Sequence, residues 1–168
     1  MALLDWPEIV LRLGIATLAG GLIGLNRDLQ GKPIGLKTLG IVGLATATVV
    51  VLAGQADDPA KMSTEASRVV QGILTGIGFL GAGVIVRAQH HFQVHGLTSA
   101  ACTWLAACVG IACGIGQWRI VAVALAITFT LLIVGRWLER WLHRMLGGKD
   151  EAAPKSPAPA PRADSRRS

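Results

Sequence analysis

The stretch RVVQGILTGIGFLGAGVIVR, Arg68 to Arg87, holds eighteen uncharged residues between its two arginines. As a helix they extend about 27 Å at roughly 1.5 Å per residue. That approaches the ~30 Å hydrocarbon core of a bilayer and predicts a membrane span. Within it Gly72 and Gly76 lie one turn apart, Phe79 and Gly83 continue near that stripe, and Gly78 and Gly81 stand beside it. In water each glycine costs a helix about 1 kcal/mol relative to alanine. In lipid the backbone must satisfy itself internally, and small residues let helices approach closely. The stretch is therefore expected at the centre of a helix bundle.

Composition agrees with a membrane protein. Apolar residues make up 52% of the 168 and charged residues only 15%, against about 25% in an ordinary soluble domain. The formal charge of +6 sits at the ends of apolar runs and in the C-terminal tail, as orientation signals do. That distribution argues against nucleic acid as a partner and for the lipid bilayer. Asp5 and Glu8 precede the first apolar run, so no cleaved signal peptide is expected. Cys102, Cys108 and Cys113 share one apolar run without a CxxC pair, which supports neither a disulfide framework nor a zinc site.

Reading outward gives an all-α, multi-pass transmembrane bundle of about five spans, near 10–25, 36–54, 69–86, 97–116 and 120–136. Gly20 and Gly24 form a GxxxG pair in the first span, and Ala106, Gly110 and Gly114 recur at fourfold spacing in the fourth. Both patterns predict close-packing faces. The helix-packing set is thus Gly20, Gly24, Gly72, Gly76, Gly78, Gly81 and Gly83. Arg12, near the outer end of span one, reads as a snorkelling side chain or as the buried partner of an acid. Span five has no glycine before Gly135 and reads as peripheral, continuing from Arg136 to Leu146 as an amphipathic helix. Trp104 falls mid-span and is expected in packing or in a pocket. Residues 1–146 form the membrane domain; 147–168, with Pro154, Pro157, Pro159 and Pro161, are expected to be a disordered, basic tail.

Five spans leave twelve of the sixteen basic residues on one side: Arg27, Lys32, Lys37, Arg87 and eight between Arg136 and Arg167. The positive-inside rule then puts the C-terminus in the cytoplasm and the N-terminus outside.

No GxSxG, HExxH, P-loop or dinucleotide-binding pattern occurs in a suitable context, so no catalytic residue, cofactor or enzyme activity is expected. His90, His91 and His95 lack an accompanying Cys or acid, and Asp57-Asp58-Pro59 with Glu65 reads first as a turn; neither group is taken as a metal site. Asn26, Arg27, Lys37, Thr38, Arg87 and Thr98 gather at the inner span ends. They are orientation anchors or the lining of a cytoplasm-facing pocket. Arg68 and Gln71 are the equivalent at the outer mouth of span three.

Gly24-Leu25-x-Arg27, Pro33-x-Gly35-Leu36-Lys37-Thr38, Arg68-Val-Val-Gln71-Gly72 with GIGFLGAG, and Gly96-Leu97-Thr98-Ser99-Ala100-Ala101 together resemble the MgtC/SapB family, over roughly residues 8 to 135. The resemblance implies a bacterial inner-membrane protein without enzymatic chemistry. Family members are linked to growth in low Mg²⁺, survival in macrophages and inhibition of the proton-driven ATP synthase. The implied function is modulation of another membrane protein, such as ATP synthase or a transporter, in adaptation to low Mg²⁺ or stress. The older naming, as Mg²⁺ transport proteins, supplies the alternative of an ion transporter or Mg²⁺ uptake component. The glycine faces suggest a homo-oligomer or a complex with another integral membrane protein. This chain has Asn26 where the family usually shows Glu, and a proline-rich tail where virulence-type members carry an ACT-like domain, so it resembles a short form.

Overall fold

A computed structural model describes residues 4–32, 34–54, 59–86 and 96–145. Five helices occupy them: α1 Trp6–Asp28, α2 Leu36–Ala53, α3 Pro59–Val86, α4 Leu97–Ile115 and α5 Trp118–Met145. Among the described residues there is no strand, and each helix contains a segment long and apolar enough to cross a membrane. The chain divides into two compact units, Met1–Leu132 and Ile133–Ser168.

Local chemistry sets the helix ends. Pro7 stands in the first turn of α1, where its missing N–H is no loss, with Glu8 beside it and Arg27 in the last turn. Gly31, at φ 63°, turns the chain toward α2. α4 lies between two left-handed glycines, Gly96 at φ 95° and Gly116 at φ 85°. Past its end, Gly116 N–H bonds Cys113 O and Gln117 N–H bonds Ala112 O, each at 2.9 Å. This is the paired closure that a left-handed residue allows.

In the first unit, α1, α2 and α4 pack around Ala16, Ala19, Ile23, Leu39, Val42, Ala47, Ala106, Ala107, Val109 and Cys113, all buried. Their glycines explain how closely the backbones meet. A Cβ added to Gly24 would stand 2.5 Å from Gly35 O, one on Gly43 2.5 Å from Ala16 O, and one on Gly20 would strike Leu39 O. On the α2–α4 seam a Cβ on Gly110 would lie 2.6 Å from Gly43 O, and one on Gly114 2.9 Å from Ala47 O. The buried threonine hydroxyls of α2 and α4 bond within their own helices: Thr46 Oγ1 donates to Val42 O at 2.9 Å, and Thr103 Oγ1 to Ser99 O at 3.0 Å. Dispersion between closely apposed backbones therefore holds this core, as expected where lipid removes the usual hydrophobic drive.

The expectation that the glycine-rich stretch occupies the bundle centre is not met. α3 packs chiefly against α4, with Gly81 near Ala100, and only 6% of its membrane-length window is buried, against 50% for α4. Small residues report that close approach is possible, not which helix approaches. α3 also begins earlier than the expected span, at Pro59. Trp104, expected in packing or a pocket, is 47% exposed on α4. The part of α5 in the first unit adds Trp118, Val121, Ala124 and Leu125 to the core margin and is otherwise largely exposed, as a peripheral helix should be. In the second unit Trp137, Leu138, Trp141 and Met145 are exposed. The tail, 147–168, lies outside the described residues.

Candidate polar site at one end of the bundle

α1 carries an arginine near each of its ends, and both reach α4. Arg12 Nη1 donates to Gly114 O at 2.7 Å, while its Nη2 and Nε bind Glu8 Oε1 at 2.5 and 3.1 Å. Arg27 Nη2 donates to Ser99 Oγ at 2.5 Å. The fifteen positions from Arg12 to Arg27 match the fifteen from Ser99 to Gly114, so the two helices run antiparallel in one register for about 22 Å. The two arginines differ in surroundings. Arg12 has a carboxylate and a carbonyl at the C-terminal end of α4, where the helix dipole favours a cation. Arg27 is 3% exposed, and its Nε has no hydrogen-bond partner among the described residues.

The residues singled out in the sequence lie in different surroundings. Asn26 is half-buried and its Oδ1 accepts from Gln30 Nε2 at 2.5 Å. Lys37 and Thr38, in the first turn of α2, are exposed, as is Thr98 in the first turn of α4. Arg87 lies outside the described residues. Arg68 and Gln71 are exposed on α3, with Gln71 O accepting from Thr75 Oγ1 at 2.8 Å. Asp57, Asp58, His90, His91 and His95 fall outside the described residues, and the side chain of Glu65 is not described.

Two residues of this end were not singled out in the sequence. Ser99 supplies the oxygen that receives Arg27. Asp28 Oδ2 accepts the Leu36 N–H at 2.8 Å, so it caps α2 from across the connection and is committed there. The interval from Asp28 to the Gly35-Leu36 helix start was the available signal, since acids favour helix starts. Ser99 stands in the Gly96-Leu97-Thr98-Ser99 motif quoted above, but nothing in the sequence pairs it with Arg27.

Of the glycines named as packing residues, Gly20 and Gly24 meet α2 and Gly81 meets Ala100, whereas Gly72, Gly76, Gly78 and Gly83 have nothing among the described residues within 4 Å of an added Cβ. Gly72, Gly76 and Gly83 leave an open face on α3, next to Phe79 at 82% exposure, while Gly78 is open on another side of the helix. Among the described residues no three His, Cys, Asp or Glu gather as metal ligands, so no Mg²⁺ site is assembled from them. The Arg27 end is suited to receiving negative charge.

The model of the MgtC family matches residues 13–141. The chain is 35% identical to protein SrpB of Synechococcus elongatus over 150 residues, covering 83% of this chain and 82% of that protein. It is 38% identical to protein SapB of Bacillus subtilis over 152 residues, 86% of this chain and 63% of the relative. It is 35% identical to the putative magnesium transporter YhiD of Escherichia coli K12 over 118 residues, 67% and 54% respectively. It thus spans less than two thirds of SapB and YhiD. No solved structure matches the chain.

Proposed function

This chain belongs to the MgtC family, and on that premise we propose that it modulates another integral membrane protein, without enzymatic chemistry, in adaptation to low Mg²⁺ or stress. One observation carries the reading. Most glycines of α1, α2 and α4 are used against one another, while Gly72, Gly76 and Gly83 of α3 have nothing among the described residues within 4 Å of an added Cβ. A glycine face on a membrane-length helix is suited to receive another helix. The occupant is a span of a partner such as ATP synthase or a transporter; a second copy of this chain is the competing occupant. The distribution of basic residues supports a bacterial inner-membrane location with the N-terminus outside and the Arg27 end toward the cytoplasm.

The test is proton pumping by ATP synthase in inverted membrane vesicles, with the protein present, absent, or carrying Gly76→Val. Modulation predicts a change in pumping with the native chain and its loss with the variant. Pumping unaffected by the native chain, at equal insertion, removes ATP synthase as the target.

Transport is the second reading. It is supported by the name of the relative YhiD, a putative magnesium transporter. Against a divalent cation path through the centre of α1, α2 and α4 stands the buried guanidinium of Arg27, a repulsive charge in a medium of low dielectric. Mg²⁺ and proton flux in proteoliposomes, measured separately, test this reading. No flux from correctly inserted protein removes it.

A further inference from the structure

We infer that the first turn of α4 and the buried Arg27 beside it form a binding site for a phosphate group, carried by an anionic phospholipid headgroup or free in solution. The argument begins with an unbalanced charge. Arg27 is 3% exposed, and among the described residues the only ion pair within 4.0 Å joins Arg12 to Glu8. Its Nε is buried without a hydrogen-bond partner among the described residues. The acid next to it in sequence, Asp28, makes no ion pair with it within 4.0 Å and accepts the Leu36 N–H instead. A guanidinium held away from water without a counter-charge is unfavourable, and a bound anion removes that penalty.

The second observation concerns where Arg27 points. Its Nη2 reaches Ser99 Oγ, within the first turn of α4. That turn starts from Gly96, which provides no side-chain cap. The first N–H to find a carbonyl there is that of Ala100, bonded to Gly96 O at 2.9 Å. The preceding N–H groups lack intrahelical acceptors by the geometry of any helix start. Thr98 adds an exposed hydroxyl to the same turn. Amide donors without an intrahelical acceptor, the positive end of a helix dipole and a cation nearby are the elements that bind phosphate oxygens.

Position points to the headgroup as one source. Leu97 begins a helix of membrane-spanning length, so its first turn stands near the level of lipid phosphates. Arg27 acts from behind Ser99 by its charge, while the amides and Thr98 make contact. This site is separate from the α3 face, and its failure would leave the modulator reading untouched.

The experiment uses the full chain in neutral detergent. Retention of phosphatidylglycerol against phosphatidylcholine is read by native mass spectrometry, and melting temperature is read in sodium phosphate against sodium chloride of equal ionic strength. Preferential retention of phosphatidylglycerol without a phosphate effect identifies the headgroup; stabilisation by inorganic phosphate identifies the free anion. In either case Arg27→Gln and Thr98→Val should each weaken the effect about two- to fivefold, the scale of charge effects at a helix terminus. Arg27→Lys should restore part of it. If Arg27→Gln does not fold, Thr98→Val and Arg27→Lys decide the matter. Absence of both effects in the native chain overturns the inference. So does a lipid preference that survives every folded variant, which would belong to basic residues elsewhere.

Discussion

Arg12 and Gly114 are joined at 2.7 Å, side chain to backbone carbonyl, across 102 positions of sequence. Through this bond a cation of α1 closes the C-terminal end of α4, two residues before Gly116 takes up its left-handed conformation. Arg27 and Ser99 repeat the connection at the opposite end of the same two helices. The pair of contacts sets the register of α1 against α4, independently of the small residues that set their separation.

Arg12→Met should lower stability by about 1–3 kcal/mol, because it leaves the Gly114 carbonyl without its donor and Glu8 without its partner. Glu8→Gln should cost less, about 0–1 kcal/mol, since Glu8 is 44% exposed. Thermal unfolding in detergent checks the order; equal effects would mean that the ion pair, and not the helix closure, matters.

The glycines of the two regions should respond oppositely. Gly43→Val and Gly110→Val put side chains where Ala16 O, Thr46 and Gly43 already stand, and overpacking of this kind costs about 1–3 kcal/mol. Gly72→Ala and Gly76→Ala meet open space, and should leave the stability of the isolated chain unchanged or raise it, by up to about 1 kcal/mol. Melting temperatures of the four variants in detergent provide the check.

Gly116→Ala combines two penalties. Its φ of 85° disfavours any L side chain, and the new methyl would lie 3.0 Å from Arg12 Nη2. A loss of about 1–2 kcal/mol is expected. Gly116→Asn, which tolerates the left-handed region better, should lose less of the backbone term; the comparison is again made by thermal unfolding.

Asp28→Ala removes the acceptor of the Leu36 N–H and should cost about 1 kcal/mol, the usual value of a helix start. Asp28→Asn keeps an oxygen there and should retain most of it. Amide hydrogen exchange in the first turn of α2 reports the difference directly.

Much of this architecture was legible in the chain, for reasons that particular residues show. The run between Arg68 and Arg87 announced a span by length and by lack of charge, and the lipid requirement for internal backbone pairing made it a helix despite its glycines. Gly24 and Gly110 announced close contact because small residues have that meaning in a bilayer. What could not be read was the identity of the neighbour. Gly76 looks like Gly24 in sequence, yet one is open and the other meets α2, because pairing depends on tertiary arrangement. Trp104 shows the same limit: its depth in a span was plain, but the side of α4 it occupies was not. The start of α3 at Pro59 was obscured by polar residues that mark a turn and begin a helix equally well. At the candidate site, Arg27 stood out as a charge at a span end, but its burial follows from the contact of α1 with α4, and Ser99 gave no sign of receiving it.

The most direct measurement places a photoreactive benzophenone side chain at position 79, on the open face of α3, and irradiates intact membranes. Val123 of α5, 59% exposed, serves as the comparison position. A glycine face that receives a partner helix predicts a discrete protein adduct from position 79, heavier than the chain by a mass other than its own, absent from position 123 and lost with Gly76→Val. Lipid adducts alone, equal at both positions, would contradict the account, and a product of twice the chain mass alone would make α3 a surface for self-association instead of a docking face for another protein.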